Sequence, residues 1–584
     1  MHTNLSGSLS AKVSAVIFER QQRTTRPNIR AGLMALATAA LMLTAPASGV
    51  MAQSAGGTGA KPIPHLVKKN GKAALMVDGA PYLMLGAQVN NSSNYPSQLP
   101  YVWPALKDIG ANTVEVNVAW EQVEPVEGQY DFSFVDTLIT QARENNVRVV
   151  LLWFGTWKNT SPHYAPDWVK LNNKRFPRMT KQDGTISYCL SPMEETTLEA
   201  DKKAFAALMR HLKKIDGEQH TVIMVQVQNE SGTYGSVRDY SPKAEKVFKG
   251  PVPQALLTKK GLKPAAGKTD WASVFGKHAD EYFHAWHIAS YINAVAEAGR
   301  AEYDLPMYVN AAIREPLVEV GPESYSSGGP THNVIDIYQA AAPKIDIIAP
   351  DIYKRDSKNY EAVLDLYTKF ENPLFVPETG SDSEFARYAF SVFGRGGLGF
   401  APFGIDYTGY TNYPLGGKDI SPEGLKPFAK VYALFGPVQR EWAKLAFENQ
   451  TWGVAEADDR ANQVIDLNGR WKATVAYGEW QFGFKDWTWL GDFDAVPGRE
   501  KPNGGVVVAQ LSEDEFLLLG LHARVTFDVG DKQKGRNVIY RSVEEGRFVD
   551  GKWVVDRIWN GDQTDYGLNL TDAPRVLKVK LATY

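Results

Sequence analysis

Two glutamates in this sequence stand where proton transfer and nucleophilic attack could meet. Val222-Ile223-Met224-Val225-Gln226-Val227-Gln228 runs into Asn229-Glu230-Ser231-Gly232, and Leu374-Phe375-Val376 runs into Pro377-Glu378-Thr379-Gly380. A carboxyl at the end of a buried strand is held by rigid backbone. Two of them across one cleft can divide the work of acetal cleavage, one protonating the departing oxygen and the other attacking the anomeric carbon. A separation of ~5–5.5 Å suits attack with net retention. Taken singly, each Glu reads equally well as a solvated loop residue or a helix cap. Their joint placement, with Asn229 directly before Glu230, turns the reading toward chemistry.

Other chemistries find less support. The 10 His show no pairing at ligand spacing and no glycine loop has the phosphate-binding pattern, so no metal and no cofactor are expected. Lys and Arg total 63 against 66 Asp and Glu, a balance that attracts neither nucleic acid nor an acidic membrane surface. The single cysteine, Cys189, reads as a packed loop residue rather than a nucleophile and can form no intramolecular disulfide. Aromatic residues make up 11% of the chain, which suits both stacking on sugar faces and core packing.

The elements that must position the glutamates follow from periodicity. Eight short apolar or β-branched runs alternate with segments of helical spacing: 82–86, 113–118, 148–153, 222–228, 307–310, 345–349, 374–377 and 397–403. This pattern predicts an α/β fold, a (β/α)8 TIM barrel over 73–442. Glu230 would then sit at the end of the fourth strand and Glu378 at the end of the seventh, facing one another across the mouth. The longest loops fall between the third and fourth strands and over 243–271. Beyond Trp442 helical spacing gives way to short strand-like runs, which predict a C-terminal all-β, sandwich-like domain over 443–584.

The start of the chain reads as an export signal. Lys12, Arg20, Arg23, Arg26 and Arg30, with Glu19 the one opposing charge, precede an apolar run from Ala31 to Pro46 and a small-residue site at Val50-Met51-Ala52. The apolar run is shorter than a membrane span requires. The reading is therefore a removed signal peptide over 1–52, a linker over 53–72, no membrane anchor, and a periplasmic or secreted protein.

Three motifs give the chain a resemblance to clan A glycoside hydrolases, above all to family 35, the β-galactosidases, over about residues 70 to 440. The first is Val225-Gln226-Val227-Gln228-Asn229-Glu230-Ser231-Gly232. The second joins Asn112-Thr113-Val114-Glu115-Val116 and Trp120 to Glu124-Pro125-Val126-Glu127-Gly128-Gln129-Tyr130-Asp131-Phe132. The third is Pro377-Glu378-Thr379-Gly380. The resemblance implies that Glu230 is the proton donor, Glu378 the nucleophile and Asn229 a contact for the sugar 2-hydroxyl. It also implies that Tyr353 is the sixth-strand tyrosine that hydrogen-bonds the nucleophile. After the third strand, where the family has Ala-Glu-Trp, this chain has Trp153-Phe154-Gly155-Thr156-Trp157-Lys158-Asn159. Lys158 and Asn159 are candidates for hydroxyl contacts there, with Trp157 as a stacking platform. Trp120, Asn117 and Asn90 are further candidates near strand ends, whereas Glu124 and Pro125 read as turn formers. Asp406 and Tyr407 read as an ordinary turn after the eighth strand.

The function expected is a retaining, exo-acting β-galactosidase that releases terminal β-galactose from an oligosaccharide, with xyloglucan side chains the leading substrate. Another clan A β-glycosidase, such as a β-glucosidase or mannanase, and an inactive carbohydrate-binding protein are the alternatives. The C-terminal tryptophans Trp471, Trp480, Trp487, Trp489, Trp553 and Trp559 are expected to pack rather than to form a sugar-binding face.

Overall fold

The structure, a computed structural model, describes residues 61–477 and 501–584. The expected signal peptide and Trp480, Trp487 and Trp489 lie outside the described residues.

Eight parallel strands close into a barrel: β1 (Met84–Gln88), β2 (Thr113–Ala119), β3 (Arg148–Lys158), β4 (Val222–Asn229), β5 (Met307–Ala312), β6 (Ile347–Ile352), β7 (Val376–Thr379) and β8 (Gly399–Pro402). A helix follows each in turn: α1 (Leu99–Ile109), α2 (Ser133–Glu144), α3 (Glu195–Asp216), α4 (Ala279–Glu302), α5 (Ile335–Ala341), α6 (Ser357–Tyr367), α7 (Tyr388–Gly394) and α8 (Lys426–Phe435). The barrel strands are continuous apolar runs because both faces are covered. On β3, Val150 and Leu152 point into a barrel interior shared with Met84, Met224, Tyr308, Ala349 and Phe375, while Val149 and Leu151 join the core beneath the helices. Period-2 alternation thus fills the inside of the barrel and seals its outside with one strand sequence.

Ahead of β1, His65–Lys69 and Lys72–Val77 pair as an antiparallel hairpin, so ordered structure begins before the boundary expected at residue 73. The turn is Asn70-Gly71, both residues with positive φ (52° and 73°), the Asn-Gly signature of a tight hairpin. At the other boundary, the helix α9 (Gln439–Glu448) runs through residue 442.

Among its described residues the C-terminal segment forms ten strands: β9 (Thr451–Ala455), β10 (Gln463–Leu467), β11 (Trp471–Tyr477), β12 (Gly505–Ser512), β13 (Glu515–Leu521), β14 (Ala523–Val529), β15 (Val538–Val549), β16 (Lys552–Ile558), β17 (Leu568–Leu570) and β18 (Val576–Thr583). They form a six-stranded sheet ordered β9-β12-β13-β18-β15-β16 and a four-stranded sheet ordered β10-β11-β14-β17. Val506, Val508, Phe516 and Leu518 face the smaller sheet, while Val507, Ala509, Leu517 and Leu519 join the core of the barrel helices. Strands β12 and β13 of the larger sheet are therefore buried on both faces and cement the sandwich to the barrel, while β16 at its edge is largely exposed. Trp471 and Trp559 are buried, and Trp553 packs against Phe548, so these rings are structural.

Candidate active site

Glu230 ends β4 under backbone strain. Gln228 and Glu230 both take positive φ, 65° and 43°, which costs a non-glycine residue about 1–2 kcal/mol each. The surroundings hold the geometry in place. The Gln228 amide donates to Asp201 at 2.7 Å and accepts from the Trp157 backbone N–H at 2.9 Å. The Glu230 N–H donates to Asn310 Oδ1 at 3.0 Å, and the Thr160 N–H donates to the Glu230 carbonyl at 3.0 Å. The Glu230 carboxyl is thereby aimed over the barrel mouth from a backbone pinned on both sides.

Glu378 lies on β7 beside Asp351 of β6, its register partner. Its two carboxylate oxygens have separate donors: the Tyr353 hydroxyl at 2.5 Å to Oε1 and the Gln88 amide, from the end of β1, at 3.1 Å to Oε2. One oxygen each from Glu230, Asp351 and Glu378 lie within 4.8 Å of one another. Burial, reinforced by the Glu378 charge, pushes the Glu230 carboxyl up to about 7, against the opposing pull of Lys158. Asp351 is held well above the usual carboxylate range, first by burial and then by the charges of Glu378 and Glu230. The same three oxygens also have the spacing to ligate a metal ion, as an all-carboxylate set without histidine.

These groups line a cavity of about 900 Å³ at the C-terminal end of the barrel, where Asn90, Lys158, Asn159 and Tyr353 join Glu230 and Glu378. Asn90 is held by Asp406, which accepts from its backbone N–H at 2.9 Å, its side-chain amide at 3.1 Å and the Ser93 hydroxyl at 2.7 Å. Asp406 therefore shapes the cavity wall and is more than a turn residue. Lys158 donates to Asn159 at 2.6 Å. Asn229 is fully buried, and neither atom of its side-chain amide has a partner among the described residues. Asn117 on β2 is likewise buried with an unpartnered Nδ2, and neither asparagine is in the cavity wall.

Two expectations are corrected. Trp157 is not a stacking platform: it is buried beneath the site, packs against Tyr291 and donates its indole N–H to the Leu190 carbonyl. Trp120 is no ligand residue either, because its ring is fully buried, edge-on to Trp168, with its N–H given to Glu124 at 2.9 Å. Glu124 also accepts from the Gly128 N–H at 2.7 Å, the turn-forming role its sequence suggests. The exposed rings at the cavity rim are Tyr234 and Tyr410. Cys189 is buried beside Thr233, and burial pushes its thiol up, as suits a packing residue.

Asp351, Gln88 and Asn310 belong to the site although no motif marks them. A signal existed for each. Asp351 lies two residues before Tyr353 and so shares its side of the strand, while Gln88 and Asn310 are polar residues near the ends of otherwise apolar strands.

Residues 102–286, which carry β2 to β4 and Glu230, match the glycoside hydrolase family 42 model, described as β-galactosidase. The barrel is similar to β-galactosidases. Relatives include β-galactosidase BgaA of a Thermus species, 26% identical over 177 residues, or 29% of this chain and 25% of the relative. BgaA of Clostridium cellulovorans is 29% identical over 130 residues, covering 21% of this chain and 18% of the relative. The β-galactosidase of Xanthomonas manihotis is 25% identical over 167 residues, covering 28% and 26%. The chain thus spans about a quarter or less of the length of these relatives. The match supports a glycoside hydrolase within the clan expected and does not single out family 35. Residues 428–571, mostly in the β-domain, match a model described as a domain of unknown function. Among solved structures, a cold-adapted β-galactosidase from Rahnella sp. R3 superposes with a TM-score of 0.45 at 14% identity, covering 64% of this chain and 58% of the other. Among the described residues no helix is long and apolar enough to cross a membrane.

Proposed function

We propose that this chain is an exported, retaining, exo-acting β-galactosidase in which Glu378 attacks the anomeric carbon and Glu230 serves as acid and then base. The observation that carries the reading is the contrast between two carboxyls whose oxygens lie within 4.8 Å. Glu378 accepts one hydrogen bond on each carboxylate oxygen, which fixes the orientation a nucleophile needs. Glu230 keeps its proton up to about 7, as a general acid must near neutral pH. Their proximity is nearer the ~5–5.5 Å separation of retaining enzymes than the ~6.5–9.5 Å of inverting ones, which supports a covalent glycosyl-enzyme. After the aglycone leaves, Glu230 is a carboxylate and can take a proton from the incoming water.

The resemblance assigns Asn229 to the sugar 2-hydroxyl; its unpartnered amide beside the acid leaves a donor and an acceptor for that contact, which requires the side chain to turn toward the cavity it does not line. Asn90, Lys158 and Asn159 offer donors and acceptors for the remaining hydroxyls. Tyr234 and Tyr410 take the stacking part that Trp120 and Trp157 cannot. The family 35 motifs support β-galactose as the glycone, and the exposed rim tyrosines suit an oligosaccharide aglycone such as galactosylated xyloglucan.

The test is turnover of a panel of nitrophenyl glycosides, followed by galactose release from galactosylated xyloglucan oligosaccharides, lactose and β-1,4-galactan fragments. The β-galactoside should be cleaved best, with NMR showing the β anomer as first product. Preference for a β-glucoside or β-mannoside would move the glycone within the clan, and no turnover of any glycoside would leave a binding protein. Faster release from lactose or galactan would remove xyloglucan alone.

A further inference from the structure

Asp351 has no part in double displacement as described above, yet it sits against both glutamates. It is fully buried, and its Oδ2 accepts from the Asn310 amide at 2.6 Å. Its other oxygen, Oδ1, is buried and receives no hydrogen bond from any donor among the described residues, although it belongs to a carboxyl with an oxygen within 4.8 Å of one from Glu230 and one from Glu378. Two carboxylates cannot satisfy one another, because each only accepts. A buried carboxylate without a donor to one of its oxygens, and with other carboxyls this near, is costly, and a proton shared with a neighbouring carboxyl removes that cost.

We propose that Asp351 is a positioning residue that remains a neutral carboxylic acid and donates a hydrogen bond to Glu230, favouring the carboxylate form that Glu230 needs as a base. This rests on the assignment of Glu230 as the acid/base. Asn310 fixes the arrangement: its amide N–H₂ donates to Asp351, and its carbonyl oxygen accepts from the Glu230 backbone N–H. One side chain on β5 thus sets both the end of β4 and the acid on β6.

The charges around the pair favour this protonation. Glu378, from β7, repels a charge on either carboxyl, and Lys158, from β3, is the cation that opposes it. The neighbouring phenols stay neutral in the working range: Tyr234, after β4, is pushed up to about 12, and Tyr308, Tyr353 and Tyr367 are held well above their usual range. Glu115 on β2 is also held well above the carboxylate range by burial, so it adds little charge. With one cation against Glu378, a second permanent anion at Asp351 would be uncompensated.

The experiment is the pH dependence of kcat/KM for Asp351→Asn and Asp351→Ala on whichever nitrophenyl β-glycoside the enzyme turns over. In Asp351→Asn the new amide accepts from Asn310 and donates to Glu230 as the neutral acid does. The rate should fall a few-fold while the basic limb keeps its place. In Asp351→Ala the donor to the Glu230 carboxylate is lost, so the basic limb should move up by about one pH unit. A basic limb that moves down by a unit in Asp351→Asn would mean that a negative charge had been removed, overturning the proposal. An unmoved limb in Asp351→Ala would overturn it as well, and Asp351→Asn decides the matter alone if the alanine variant does not fold. Glu230→Ala separates the two readings: a basic limb that survives in it would remove Glu230 as its source, and the role of Asp351 would fall with that assignment.

Discussion

Glu230 and Glu378 are the same chemical group, and their surroundings set them apart. Glu378 has a phenol on one oxygen and an amide on the other, whereas Glu230 faces a second acid in a buried setting. The consequence for stability can be worked out from Glu230 alone. Its ordinary value of 4.5 rises to about 7 in the fold, so between these values the unfolded chain releases a proton that the folded chain keeps. Stability from this group is full below 4.5 and is lost as pH rises through about 7. Glu230→Gln, which cannot titrate, should therefore unfold at nearly the wild-type temperature near pH ~4 and at a distinctly higher one near pH ~8. Melting curves at the two pH values check this; a gap that does not widen with pH would place the Glu230 proton elsewhere. Apolar runs place Glu230 and Glu378 at strand ends, the resemblance adds Tyr353, and all three line one cavity in the structure. Sequence alone misplaced Trp120 and Trp157, because a ring that stacks on sugar and a ring that fills a core have the same chemistry. Burial separates them, and burial depends on the packing of the long β3–β4 segment.

At the scale of elements, all eight barrel strands are visible as apolar runs, with ends displaced by a few residues. The least legible feature is how the β-domain meets the barrel, because it depends on two glycines with no pattern around them. Gly394 ends α7 and Gly453 lies in β9, and the two backbones touch: a Cβ on Gly453 would fall 2.1 Å from the Phe390 carbonyl oxygen. That close approach lets β9 lie along α7, the helix that follows the strand carrying Glu378. Buried Arg387, just before α7, adds an ion pair to Asp458 at 2.7 Å. Gly453→Ala must push backbone apart, an overpacking cost of about 1–3 kcal/mol. Calorimetry should show a lower midpoint for this variant, while Gly409→Ala, where the added methyl meets open space, should lose only what its positive φ (84°) costs. Equal midpoints for Gly453→Ala and wild type would mean that the two elements are not in contact.

Across the whole molecule, the parts form a chain of support. The six-stranded sheet backs the barrel helices, the helices fix the strands, and the strand ends gather residues 88, 230, 310, 351 and 378 around one opening. None of these neighbours is close in sequence, so their joint action is legible only once closure of the barrel is assumed. Alternation along one strand, as between Asp351 and Tyr353, is the local trace of it. The family match ends at residue 286 and so includes Glu230 without Glu378. The proposed mechanism therefore depends on the pairing of the two. It is tested most directly by exposing the enzyme to 2-deoxy-2-fluoro-β-galactosyl fluoride, digesting it, and locating the bound sugar by mass spectrometry. A single sugar ester on Glu378 is expected. Labelling of Glu230, of Asp351 or of another residue would contradict it.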